Sequence, residues 1–270
     1  MRLLYCGDVM GESGRRAVAE HVPALRRRLG LDFVVVNGEN AAGGFGVTEK
    51  ICRSFYDWGV DVVTTGNHVW DQREILTYIN REPRLLRPCN YPKGTPGSGA
   101  GLYATADGRS VLVIQVMTRL FMEALDDPFM ALEAAMASHS LVATVDAIIV
   151  DVHGEATSEK AALAYTVDGR ASMVVGSHSH VPTADTRILP GGTAFQTDAG
   201  MCGNYDSIIG MEKEVAIARF VTKMRTERLE PADGEGTLCA MFVETDDKTG
   251  LARRASPVRI GGALAPVVPQ

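Results

Sequence analysis

No apolar run in this sequence approaches the roughly 20 residues that a membrane-spanning helix requires, which excludes a helical span of the bilayer. The opening apolar run, Leu3 to Cys6, breaks at Gly7-Asp8, too soon for the core of a secretory signal. Cysteine pairs are missing too. Cys6, Cys52, Cys89, Cys202 and Cys239 are odd in number, scattered and free of any CxxC spacing. That excludes a disulfide framework and predicts reduced, mostly buried thiols in a cytoplasmic protein. Excess positive charge is absent: the formal net charge is -6, which argues against a broad basic surface for long nucleic acid. A small anionic substrate stays compatible, because bound cations override the global sign locally. Repeats, low-complexity tracts and linkers are not found. The 270 residues therefore read as a single domain, large enough to bury a full core.

What is present is an alternation of short apolar runs with helical periodicity. Leu3 to Cys6, Asp32 to Val36, Val60 to Thr64, Val111 to Val116, Ala147 to Val150, Met173 to Val175 and Ala194 to Gln196 read as strands. Their nearly continuous apolar character is that of strands covered on both faces. Leu238 to Glu244 and Val258 to Ile260 read as closing strands, and Leu102 to Ala104 pairs with Val111 to Val116 as a hairpin around Asp107-Gly108. Val18, Val22, Leu25 and Leu29 fall at helical spacing before a stop at Gly30, with Pro23 predicting a kink or a break. Thr48 is the predicted N-cap of a helix carrying Ile51 and Phe55 and closed by Gly59. Thr157 or Ser158 caps a helix running to about Val167. Asp71 to Ile79 reads as helix, and Met211 to Lys223 as helix or strand. Ala41 to Gly46, Pro88 to Gly101 and Arg225 to Gly236 read as loops. The segment 117–140 reads as helical, with Met122, Leu125, Phe129, Leu132 and Met136 as apolar members; it either packs on the core or forms a small cap over the site.

Strands alternating with helices predict βαβ units and an α/β fold whose sheet is largely parallel, with the strand carboxyl ends along one edge. Ligand sites in such sheets lie beyond that edge. The residues just past the apolar runs are Asp8, Glu39 with Asn40, Asn67 with His68, His153, and His178 with His180. Each has a plainer reading alone. Asp8 suits a helix cap, Glu39 a solvated loop, Asn40 and Asn67 turns, and His153 a satisfied buried position. Together they form a set of oxygen and nitrogen donors at successive strand ends, as a metal site needs. His178 and His180 would point the same way in extended backbone, as a chelating pair does. His21 and His139 fall in helical stretches and read as structural or solvent-facing.

Gly7-Asp8, Asn37-Gly38-Glu39-Asn40, Gly66-Asn67-His68, Asp151-Val152-His153-Gly154-Glu155 and Gly176-Ser177-His178-Ser179-His180 occur in this order over nearly the whole chain. They resemble the motifs of the calcineurin-like metallophosphoesterase superfamily, and more closely its YmdB-like branch of cyclic-nucleotide phosphodiesterases. Met10 stands where the wider superfamily has the histidine of Asp-x-His, and Glu39 where it has a bridging aspartate. Both departures match the YmdB-like branch, with Asn40 as the compensating ligand.

The resemblance implies a sandwich of mixed, largely parallel β-sheets flanked by helices. It also implies two divalent metals bridged by Glu39, one completed by Asp8, Asn40 and His180, the other by Asn67, His153 and His178. Mixed nitrogen and oxygen ligation suits iron or manganese better than calcium, with zinc or magnesium as alternatives. In-line attack on phosphorus by a metal-bridging hydroxide is the implied reaction, and His68 the implied general acid. Asp71 reads as a helix N-cap or as the group that orients His68, and Arg119 as a surface arginine or a phosphate contact. The implied substrates are small phosphodiesters such as 2′,3′-cyclic nucleotides. A phosphomonoesterase and a non-catalytic metal-binding regulatory module are the alternatives, and a homo-oligomer stays open.

Overall fold

The computed structural model describes residues 1–225 and 227–269. One sheet contains β1 (Arg2–Cys6), β2 (Phe33–Asn37), β3 (Val62–Thr64), β4 (Leu85–Leu86), β11 (Leu238–Thr245) and β12 (Ala252–Ile260). The other contains β5 (Ala100–Ala104), β6 (Ser110–Met117), β7 (Ala147–His153), β8 (Met173–Ser177), β9 (Arg187–Ile188) and β10 (Ala194–Gln196). Their orders are β12-β11-β1-β2-β3-β4 and β5-β6-β7-β8-β10-β9. Within them β1 to β4 run parallel, as do β6, β7, β8 and β10. The outer strands β11, β12, β5 and β9 pair antiparallel.

The apolar runs explain the layering. In β1, Leu3 and Tyr5 face one side, Leu4 and Cys6 the other, and all four are fully buried. Leu3, Tyr5, Phe33 and Val35 meet Val111, Val113, Ile149 and Val175 in a core between the two sheets. The outer face of the first sheet is covered by α1 (Gly11–Leu29) and α2 (Glu49–Asp57), through Val18, Val22, Leu25 and Phe55. Leu132, Met136 and Leu163, from α4 (Pro128–Met136) and α5 (Thr157–Thr166), cover the outer face of the second. The architecture is the expected α/β sandwich, with α3 (Ile75–Tyr78) and α6 (Lys213–Thr222) completing it. No helix among the described residues is long and apolar enough to cross a membrane.

Several local expectations change. α1 runs unbroken through Pro23 and ends at Gly30 in a left-handed C-cap. A helix-interior proline costs ~3 kcal/mol. Burying Val18, Val22 and Leu25, worth ~1.5–3 kcal/mol each, outweighs it. The predicted helix from Asp71 to Ile79 shrinks to α3, because the residues before it turn to serve the site described below. In the segment 117–140 only α4 is helical. Thr118 donates its amide to His153, Arg119 and Leu120 donate theirs to Glu159, and Phe121 is left-handed, so the helix starts only at the Asp127 cap and Pro128. Neither Thr157 nor Ser158 caps α5; Ala156 holds that position without a side-chain bond. Residues 213–222 are helix, resolving the ambiguity there. Thr226, within the predicted Arg225 to Gly236 loop, lies outside the described residues.

Candidate metal centre

Five strand ends deliver the polar residues to one place. Asp8 follows β1, Glu39 and Asn40 follow β2, Asn67 and His68 follow β3, His153 ends β7, and His178 and His180 follow β8. Donor atoms of Asp8, Glu39 and His180 lie within 4.8 Å of one another, as do those of Glu39, His153 and His178. Glu39 belongs to both groups. Each group has an asparagine beside it: Asn40 Oδ1 is 3.2 Å from His180 Nε2, and Asn67 Oδ1 is 2.9 Å from His153 Nε2. His178 and His180 are not an extended pair. Their φ angles are 99° and 64°, a region costly for non-glycine residues, and the turn sends one imidazole to each group.

The bonds behind these atoms leave lone pairs facing inward. His180 Nδ1 donates to the Ile209 carbonyl at 2.7 Å, so Nε2 is the bare nitrogen of the neutral ring. Burial pushes the His180 pKa down, which keeps that ring neutral. Asn40 gives its amide to the Gly44 carbonyl at 2.8 Å, turning Oδ1 toward the same bare nitrogen. Two acceptors thus face each other, and a cation between them satisfies both. Across the site, Ser177 donates its hydroxyl to Asp151 at 2.7 Å and accepts from His153 Nδ1 at 2.9 Å. His153 Nε2 therefore faces Asn67 Oδ1 and, at 3.2 Å, Glu39 Oε1. Asp8 accepts the His178 amide through Oδ2 at 2.9 Å, while its buried Oδ1 has no partner. Converging acceptors, braced from behind and short of donors, fit a pair of divalent ions.

Electrostatics agrees. Burial would raise the Glu39 carboxyl, but His153 beside it holds the pKa at about 2. Burial would also depress His153, and Glu39 lifts it to about 9. Without metal, a proton on His153 does the work of a cation, and metal binding must displace it. His178 is pushed down to about 3 by burial and then by His153. Burial, with Glu39 and Asp198 adding repulsion, drives Asp8 well above the usual carboxylate range.

His68 stands beside these groups, half-buried, on the wall of a cavity of about 370 Å³ that also exposes Glu39, Asn40, His178 and His180. Asp71 Oδ2 lies 2.7 Å from His68 Nδ1. Asp71 is therefore not a helix cap; α3 begins later, after Glu74. Arg119 is exposed and does not line the cavity, as the surface reading has it. Asp8 is not a cap either, since the α1 N-cap is Met10. Another cavity, of about 260 Å³, lies among Arg2, Asp32, Arg109 and Glu244, where the charges pair with one another, Arg109 and Asp32 at 2.8 Å.

Several supporting residues escape a reading of strand ends alone. Asn37, the last residue of β2, accepts the Glu39 amide at 3.0 Å and donates to the Thr65 carbonyl at 2.8 Å. Lys160 and Asp198 form a buried ion pair beneath the turn that carries His178 and His180. Asp198 follows β10 much as Asp8 follows β1, and that shared position is the signal that could have marked it.

Fold and site together define a phosphoesterase-type α/β sandwich with a His/Asp/Glu cluster that could hold divalent metal at its strand ends. A family model described as YmdB-like protein matches residues 4–258, and the chain belongs to that family. The chain is 46% identical over 260 residues to a 2′,3′-cyclic-nucleotide 2′-phosphodiesterase of Bacillus subtilis, covering 96% of this chain and 97% of that protein. It is similar to the crystal structure of a hypothetical protein from Thermus thermophilus, with TM-score 0.90, 44% identity, and coverage of 97% and 100%. A solved phosphatase from Mycoplasma pneumoniae is similar at TM-score 0.89 and 31% identity, covering 97% of this chain and 93% of that one.

Proposed function

We propose that this protein is a metal-dependent phosphodiesterase that hydrolyses small phosphodiesters, with 2′,3′-cyclic nucleotides as the substrate class. The observation that carries the reading is the pair of acceptor clusters, His180 with Asn40 and His153 with Asn67, sharing Glu39 between them. Asp8, Glu39, Asn40 and His180 would hold one ion, and Glu39, Asn67, His153 and His178 the other. When bound, the ions supply Lewis-acid polarisation of the phosphoryl group and a water of lowered pKa. The protein's own part is proton management. His68 Nδ1 is engaged by Asp71, so Nε2 is the atom that hands a proton to the leaving oxygen as the P–O bond breaks. Nitrogen and oxygen donors without a thiolate support iron or manganese, ahead of zinc or magnesium.

The free cysteines support a cytoplasmic setting. The whole chain works as one unit, and the helix within the segment 117–140 serves the core, since Leu132 and Met136 are buried there. A phosphomonoesterase is the second reading, favoured by the likeness to the Mycoplasma phosphatase. Hydrolysis of bis-p-nitrophenyl phosphate and of p-nitrophenyl phosphate, each with and without EDTA, separates the two. The diester should turn over faster, and EDTA should abolish it; faster monoester turnover overturns the assignment.

A further inference from the structure

The Ala41 to Gly46 loop does more than anchor Asn40. Gly44 and Gly46 adopt φ of 89° and 76°, conformations that side-chain-bearing residues rarely reach. Gln72 Nε2 donates to the Phe45 carbonyl at 2.7 Å, and a Cβ on Gly46 would lie 2.8 Å from Gln72 Cγ. What this tight packing holds is the half-buried Phe45 ring, 5.2 Å from the His68 ring and inclined to it at 74°. Phe45 forms one wall of the catalytic cavity, and Met10, Ile209, Met211 and Leu229 continue it. Ile209 is 56% exposed and left-handed at φ 46°, an unfavourable state for a β-branched residue. A phosphate has no use for such a surface. Another part of the substrate must meet it.

The proton donor says which part. If His68 protonates the leaving oxygen, the alcohol that carries this oxygen sits on the His68 side, where Phe45 stands. We infer that this wall receives the nucleobase of the diester, with Phe45 as its aromatic contact, and that it accepts purines and pyrimidines alike. The side chains of these five residues offer no hydrogen-bond donor and only weak thioether acceptors, so they meet a base as a flat apolar body rather than reading its edge. Ser179 and Glu155, which also line the cavity, belong to its polar part. Methionine side chains adapt to bodies of different size. The inference rests on the phosphodiesterase reading above and adds what that reading leaves open.

The test compares adenosine and cytidine 2′,3′-cyclic phosphates with glycerol 1,2-cyclic phosphate, which keeps the five-membered diester and lacks the base. With metal-loaded full-length protein, kcat/KM should be about tenfold higher for both nucleotides, and within about threefold between them. Phe45→Ala should cut the nucleotide-to-glycerol ratio about tenfold, and Phe45→Trp should keep it. An unchanged ratio in Phe45→Ala overturns the inference, as does equal wild-type kcat/KM for nucleotide and glycerol ester. A preference above about a hundredfold for one base overturns the claim that no edge is read. If the wild type hydrolyses none of the three, the phosphodiesterase reading falls, and titration with adenosine 3′-phosphate by calorimetry decides the wall on its own. Binding about tenfold weaker in Phe45→Ala then supports it, and equal binding overturns it.

Discussion

His68 and Asp71 are joined through Nδ1 and Oδ2 at 2.7 Å, three residues apart in the turn that leads into the segment Asp71 to Ile79, which sequence periodicity reads as helix. The carboxylate fixes the orientation of the ring through Nδ1. His68→Ala should lower kcat by ~10²–10⁴-fold while leaving metal content intact. Asp71→Asn should lose less, because the ring keeps its proton donor and loses only its brace. Steady-state kinetics beside elemental analysis checks both. Unchanged kcat in His68→Ala removes this residue from the mechanism.

Glu39 is the residue common to both donor clusters, while Asn67 and Asn40 each serve one. Metal stoichiometry should follow that sharing. Wild-type protein should carry ~2 ions per chain, Asn67→Ala ~1, and Glu39→Ala essentially none. Plasma mass spectrometry on protein purified without added metal gives the counts. Equal loss in the two variants contradicts a bridging role for Glu39.

The strand ends are legible in the amino-acid sequence because burial on both faces leaves an uninterrupted apolar run, as in Ala147 to Val150, and a polar residue after it stands out. Asp8, Glu39, Asn67, His153, His178 and His180 are all found that way. Residues acting from behind the site are less visible, because their partners lie far along the chain. Lys160 looks like an ordinary helix lysine until α5 sets it against Asp198. Asp71 suggests a helix cap until the turn at His68 claims it. Local periodicity also overstates helices where long-range bonds capture the backbone, as Glu159 does at Arg119 and Leu120. The paired histidines suggest one chelating face because sequence spacing cannot reveal the positive φ at each.

Gly66 is required for space rather than for backbone freedom. A Cβ there would lie 2.2 Å from Glu39 Oε2 and 2.5 Å from His153 Nε2. Both neighbours are buried, so relief must move one of these two candidate ligands. Gly66→Ala should weaken metal binding by at least the ~10–100-fold typical of a disturbed supporting contact. Thermal denaturation in EDTA should show a much smaller effect than the same measurement with metal present. A Gly66→Ala protein that holds metal as tightly as wild type shows that the carboxylate and imidazole can shift without loss.

Lys160 Nζ, almost wholly buried, donates to Asp198 Oδ2 at 2.8 Å and to the Ser177 carbonyl at 2.7 Å. Asp198 also accepts the amides of Ser179 at 3.0 Å and Gly200 at 2.8 Å, so the pair braces the turn bearing His178 and His180. Burial alone would raise the Asp198 pKa, but Lys160 outweighs it and the carboxyl ends below its ordinary value. A carboxyl lowered by folding contributes its stability in full above the unfolded value, about 3.9, and loses it as the pH falls through the folded one. Lys160→Met strands that charge in the interior and should cost ~3–5 kcal/mol at neutral pH by urea denaturation. Adding Asp198→Asn removes the stranded charge, so the double variant should recover part of the loss. Its stability should also fall less steeply than that of the wild type below about pH 4. A Lys160→Met protein as stable as wild type at pH 7 means the backbone alone holds the turn.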